Sequence, residues 1–287
     1  MTLDELVERA GGLVSLPEVC LRLNDVISDD RATAEDVAET LRADPALAAR
    51  VLKLVNSAFY GLPRRVETVT HAVALLGREE VRALAVATAA AETFRNVPAA
   101  DVSMDSFWRH SVYAAAVAAT LAPGSRRTGR ERLLLSGLLH DVGWLVLLHL
   151  EPERARAVLE ADGEGWERLH QVEKEVLGFT HADVGARLLS DWGLPQSLWE
   201  PVAFHHEPHL AEAHAADAAR VHIANAAASV RQPGILCVEP GEAFPVLPEA
   251  WAAAGLTHEE LTALLPEAED RFDETLEIVF SGYTTIY

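Results

Sequence analysis

The chain has 287 residues, enough for one large domain or two modest lobes around a substantial core. Its 24 Lys and Arg stand against 44 Asp and Glu, a formal charge of −20, so neither nucleic acid nor an anionic membrane is an expected partner. A hydrophobic fraction of 49% excludes global disorder, and two cysteines, Cys20 and Cys237, exclude a disulfide framework and suit a reducing cytoplasm.

The N-terminal run from Met1 to Leu6 is acidic and amphipathic, without the basic flank and apolar run of a signal peptide. Ser15-Leu-Pro17 opens a helix, with proline near the first turn, where a missing N–H does no harm. Thr33-Ala-Glu-Asp36 reads as a capping box, and Asp44-Pro45 starts a helix carrying Leu47, Val51, Leu54 and Val55 at helical spacing. Gly77 ends a short helix from about Thr68, and another runs from about Arg78 to Phe94. After a break near Asn96-Val-Pro, Ser103 begins a long helix ending near Leu121. Further helices are expected over 130–141, 144–150, 152–162, 166–177, 181–191, 195–205 and 215–231, with Thr180-His-Ala-Asp183 as a cap. Periodicity is lost from Gln232 to Pro248, and Thr257 opens a last helix to about Phe280. Ile235-Leu-Cys-Val238 is the best strand candidate. The class is all-α.

Only 133–150 approaches the length of a membrane span. It contains His140, Asp141 and His149, which would be costly in lipid, so it reads as the buried core of a soluble protein.

Chemistry is expected at the histidines. His110, His140 beside Asp141, His181 and the pair His205-His206 fall on or at the ends of expected helices. Helix-borne imidazoles can converge inside a bundle and bind a divalent metal with a carboxylate. Neighbouring helical residues point about 100° apart, so His140 and Asp141 can share a site only near a helix end, which Gly143 is expected to supply. An Asp placed there could bridge two ions. A lone helical histidine is ordinarily a surface or hydrogen-bonded core residue, and His71, His149, His170, His209, His214 and His258 are read that way. The apolar setting Leu133-Leu-Leu-Ser-Gly-Leu-Leu-His140-Asp141 sets this pair apart, because a carboxylate buried there needs a cation or strong donors.

At these residues the sequence resembles the HDOD proteins, relatives of the HD-domain phosphohydrolases. In the N-terminal half the likeness is carried by Asp44-Pro-Ala-Leu-Ala-Ala-Arg-Val-Leu-Lys-Leu-Val-Asn-Ser-Ala-Phe-Tyr60 and Thr68-Val-Thr-His-Ala-Val-Ala-Leu-Leu-Gly77. It continues in Phe107-Trp-Arg-His110-Ser, Gly137-Leu-Leu-His140-Asp141-Val-Gly143, Thr180-His181-Ala-Asp-Val-Gly185 and Phe204-His205-His206-Glu-Pro. The resemblance covers about 17–230. It implies a two-lobed helical bundle, an N-terminal helical lobe over 1–100 and an HD-like lobe over 101–232, and 233–287 remain as a C-terminal extension with no match and a terminal helix.

In the catalytic HD and HD-GYP relatives, residues matching His110, His140 and Asp141 hold one metal together with a later Asp. Residues matching Asp141, His181, His205 and His206 hold a second. Here Asn225 stands for the later Asp, Trp144 replaces a Lys that often follows the His-Asp pair, and Gly-Tyr-Pro is missing after His206. Asn225 lacks the charge of a carboxylate, and Trp144 removes a cation that could neutralise a phosphoryl group. Imidazoles beside a carboxylate favour Fe, Mn, Zn or Ni over Mg or Ca, as one ion or two. Two readings of function follow. One is a non-enzymatic signalling module acting through a protein partner. The other is a metal-dependent phosphohydrolase acting on a nucleotide or cyclic dinucleotide.

Overall fold

A computed structural model describes residues 1–13, 16–29, 31–57, 60, 62–94, 102–124, 127–161, 169–232, 234 and 246–279. The described residues form helices and turns, and the expected strand at 235–238 lies outside them. The chain divides into two compact units: 16–94 with 269–287, and 1–15 with 95–268.

The smaller unit is built from α2 (Glu18–Ser28), α3 (Ala34–Arg42), α4 (Pro45–Val55), α5 (Val69–Leu76) and α6 (Arg78–Phe94). Its helix starts are fixed by short side chains that accept otherwise unpaired backbone N–H groups. Thr33 forms the expected capping box with Asp36, Asp44 accepts from the Leu47 N–H, and Thr68 accepts from the His71 N–H. Leu23, Val37, Leu41, Val51, Val73 and Leu84 fill its interior.

Asn56 closes the loop after α4. Its amide donates to the Leu52 carbonyl at 2.7 Å and the Val66 carbonyl at 2.8 Å, and its Oδ1 accepts from the Val66 N–H at 2.7 Å. Asn56→Ala leaves buried Val66 with two unmet backbone groups. It should cost about 2 kcal/mol, read as a lower urea midpoint at unchanged slope.

The larger unit is centred on α7 (Met104–Thr120) and α14 (Ala215–Arg231), both buried over most of their surface. The Ala-rich run of α7 lets α8 (Arg127–Leu139) approach closely, and a Cβ on Gly137 would lie 2.8 Å from the Ala115 Cα. Around this core lie α9 (Val142–Leu150), α10 (Pro152–Ala161), α11 (Leu169–Leu177), α12 (His181–Asp191), α13 (Gln196–Ala203) and α15 (Pro248–Ala254). The first helix, α1 (Leu3–Leu13), belongs to this unit, whereas the sequence reading groups 1–100 together. It packs on α9 and α12, buries Leu6, Val7 and Ala10, and pairs Arg9 with Glu151 at 3.0 Å and Asp4 with Arg187. The last helix, α16 (His258–Val279), buries Leu261, Ala268 and Phe272.

Two boundaries differ from expectation where the chemistry lies. The helix expected over 130–141 ends at Leu139, and α9 begins at Val142 with Asp141 as its N-cap residue, so the break falls on His140-Asp141 itself. Gly143 is therefore not the helix end. It lies inside α9, and its missing Cβ lets α9 touch the start of α12, where a Cβ would stand 1.9 Å from the His181 carbonyl oxygen. The helix expected over 195–205 ends at Ala203, leaving His205 and His206 on the turn beyond it. The apolar stretch 129–150 is interrupted by the break at 140–141, and 83% of its most apolar window is buried within the chain.

Candidate metal centre

The helix breaks of the larger unit face one another. Asp141 projects from the turn between α8 and α9, His181 is the first residue of α12, and His205-His206 follow α13. The Thr180 capping box with Asp183 sets the start of α12, and hence the position of His181. His110 reaches in from the middle of α7.

All six expected residues come together. Asp141 Oδ1 lies 3.2 Å from His181 Nε2 and 3.7 Å from His205 Nε2, while its Oδ2 lies 3.2 Å from His140 Nε2 and 3.8 Å from His110 Nε2. His181 Nε2 is 3.4 Å from His205 Nε2 and 3.3 Å from His206 Nε2. Two triads result, His181-His205-His206 and His110-His140-Asp141, each with its ligand atoms within 4.8 Å of one another.

Backbone oxygens orient the rings. Nδ1 of His110, His140 and His205 each lies within 2.9 Å of a carbonyl oxygen, that of Gln232, Gly137 and Val202 in turn. A carbonyl only accepts, so each Nδ1 carries a proton and each Nε2 is turned inward. His181 Nδ1 instead meets Glu173, at 2.7 Å from Oε1 and 2.9 Å from Oε2, and Glu173 also accepts from the His181 backbone N–H. A second hydrogen bond of this kind fixes the tautomer and raises the basicity of a metal-ligating histidine.

Electrostatics divides the group. Burial alone would raise the Asp141 carboxyl, but the His140 and His181 rings hold it well below the usual carboxylate range. Burial opposes charge on His181 too, yet Glu173 and Asp141 push its pKa up to about 10. Burial and the neighbouring rings push His205 and His206 well below the usual histidine value, and His110 is lowered by burial and His140.

A divalent cation suits this chemistry. Ligand nitrogens about 2.1 Å from a tetrahedral ion stand about 3.4 Å apart, close to the separations around His181. The completely buried His140 Nε2 makes no hydrogen bond. Lone pairs facing each other at such distances repel unless a cation or proton lies between them.

Three contributors escaped the sequence reading. Glu173 is completely buried and sits between buried Leu169 and Leu177 on the inner stripe of α11, so a charge at a core position was its available signal. His170, read as an ordinary histidine, stacks on His206 with ring centroids 5.5 Å apart. His222 Nδ1 lies 2.8 Å from the His205 carbonyl, and its Nε2 accepts from the Leu247 N–H at 3.2 Å. Of the noted departures, Trp144 stacks on His181 at 5.2 Å, and the Asn225 amide oxygen lies 3.0 Å from His110 Nε2. With Nδ1–H of His110 tied to Gln232, the Asn225 amide suits that nitrogen when turned to present its N–H.

This all-helical unit with a histidine–aspartate centre defines an HD-like protein. The HDOD domain model matches residues 13–208, most of the chain, and the chain belongs to the HDOD family. It is similar to the crystal structure of a candidate phosphohydrolase from Shewanella amazonensis SB2B, with 27% identity, a TM-score of 0.69 and 96% of each chain covered. An HDOD domain protein of unknown function from Geobacter sulfurreducens shares the fold at 24% identity and a TM-score of 0.70, over 97% of this chain and 98% of that one. An uncharacterised protein of Treponema pallidum (strain Nichols) is 27% identical over 212 residues, which cover 72% of this chain. The chain spans about 40% of that relative's length.

Proposed function

We propose that this HDOD protein is a signalling module that passes a state to a protein partner and holds a divalent transition metal, Fe, Mn, Zn or Ni, as a structural or sensory element. The observation that carries this reading is the pairing of His110 Nε2 with Asn225 at 3.0 Å, closer than Asp141 at 3.8 Å. A neutral amide thus meets the imidazole where the catalytic relatives are expected to place a carboxylate. Trp144 covers one face of His181 where a phosphate-neutralising cation would be useful. In this module Asp141 and the imidazoles would gather the 140–141 turn, the start of α12 and the 205–206 turn around one centre.

A phosphohydrolase acting on a nucleotide or cyclic dinucleotide is the second reading. It is favoured by the reach of Asp141 to both triads, where a bound metal would supply Lewis acidity. Turnover of bis-p-nitrophenyl phosphate and a nucleotide panel, with Mn or Fe present, separates the two. The module is expected to give no rate beyond that of the His140→Ala, Asp141→Ala double variant. A rate that the double variant loses establishes the enzyme. Metal is tested separately, by elemental analysis before and after reconstitution: under about a tenth of an equivalent in both overturns the metal centre.

A further inference from the structure

Asp141 reaches a nitrogen of each triad at 3.2 Å, but the two triads are not equivalent. We infer that this centre takes a single divalent ion, in the half formed by His181, His205, His206 and Asp141, and that Asn225 withholds His110 from a second ion. The inference rests on the metal-centre reading above and deepens it.

His110 is held at both ring nitrogens. Its Nδ1 lies 2.9 Å from the Gln232 carbonyl and its Nε2 lies 3.0 Å from the Asn225 amide. An added Cβ on Gly234 would stand 3.0 Å from His110 Cγ, so the ring keeps this place beside a residue without a side chain. A second ion would have to break the Asn225 contact and would gain only a neutral amide oxygen, a weak ligand beside a carboxylate. Across the centre, three Nε2 atoms meet at 3.3 and 3.4 Å with Asp141 Oδ1 at 3.2 Å from His181, so this half needs no such rearrangement.

Charge balance points the same way. The contacts above bring two carboxylates to the triads: Asp141 between them, and Glu173 behind His181. Together they offset one divalent ion. A second would leave two positive charges uncompensated in a buried site, a costly arrangement unless an anion entered with it. Glu173 stands on the His181 side, which places the better-compensated half there.

The test is titration of Co(II) into the metal-stripped full-length protein, followed by visible absorption and elemental analysis, with Mn(II) electron paramagnetic resonance alongside. A single break at one equivalent and the signal of an isolated Mn(II) are expected. His206→Gln should weaken binding at least about 10-fold, as loss of a ligand or its support does, and clearly more than His110→Gln does. Asn225→Asp should add a second equivalent and an exchange-coupled Mn pair; being nearly isosteric, it carries the test if His110→Gln does not fold. Two equivalents in the unaltered protein would overturn the inference and leave the metal centre standing. One equivalent that His110→Gln abolishes and His206→Gln spares would place the ion in the wrong half. An Asn225→Asp variant that still takes one ion would remove Asn225 as the determinant. No uptake at all would overturn this inference together with the metal reading.

Discussion

Gly143→Ala is expected to abolish metal uptake and to destabilise the larger unit by about 3 kcal/mol or more, although it alters no ligand. The added methyl carbon would stand 1.9 Å from the His181 carbonyl oxygen and 2.8 Å from the Gly185 nitrogen. Both obstacles are backbone, so no side-chain rotation relieves the clash. α9 and α12 must separate, and their first turns are the segments that bring Asp141 and His181 within 3.2 Å. Gly11→Ala in α1 is the matched control, since nothing lies within 4 Å of its added carbon. It should be neutral or stabilising by about 0.5–1 kcal/mol, the usual helix gain of Ala over Gly. Urea unfolding and Co(II) uptake read both variants, and a Gly143→Ala protein with an unaltered midpoint would show that the helices tolerate the spacing.

Metal binding should release about one proton at pH 7, with affinity rising about tenfold per pH unit from 7 towards 9. The sign follows from the separate environments of the rings. His181, raised to about 10 by Glu173 and Asp141 against the cost of burial, carries a proton on Nε2 at neutral pH, and a metal must displace it. His205, His206 and His110, lowered first by burial and then by neighbouring rings, are already neutral and release none. Calorimetry in buffers of different ionisation enthalpy counts the protons. Glu173→Gln should bring the count close to zero and weaken binding by about 10- to 100-fold, the range for loss of a hydrogen-bonding partner behind a ligand. In the metal-free protein the same groups set opposite limbs of stability. His181 has a raised folded pKa, so its contribution is fully present below about 6.5 and is lost as pH rises towards 10. The three lowered histidines act conversely: stability falls as pH drops below about 6.5, where the unfolded chain takes up their protons.

Local signals fix helix ends wherever a side chain acts on its own backbone. The caps at Thr33, Asp44, Thr68 and Thr180 and the stop at Gly77 stand where short polar residues and glycine placed them. α15 escaped because seven residues, Pro-Glu-Ala-Trp-Ala-Ala-Ala, are too few and too uniform to show a period. The sequence does not mark the end of α8, because Leu138-Leu139-His140-Asp141-Val142 continues the apolar pattern through the break. A glutamate in a helix is ordinarily solvated; the place of Glu173 between Leu169 and Leu177 on the apolar stripe signals burial, and its contact with His181 gives the burial its purpose.

The sequence by itself determined the all-helical class, most helix starts, the family likeness and the choice of six residues whose side chains the fold gathers, because caps, periodicity and chemically unusual side chains are properties of short stretches of chain. Only the tertiary structure decided which nitrogen each imidazole turns inward, that Glu173 stands behind His181, that Asn225 meets His110, and that Gly143 is a point of backbone contact. Those facts depend on distances between segments far apart in the chain, and such distances are set by packing rather than by local composition.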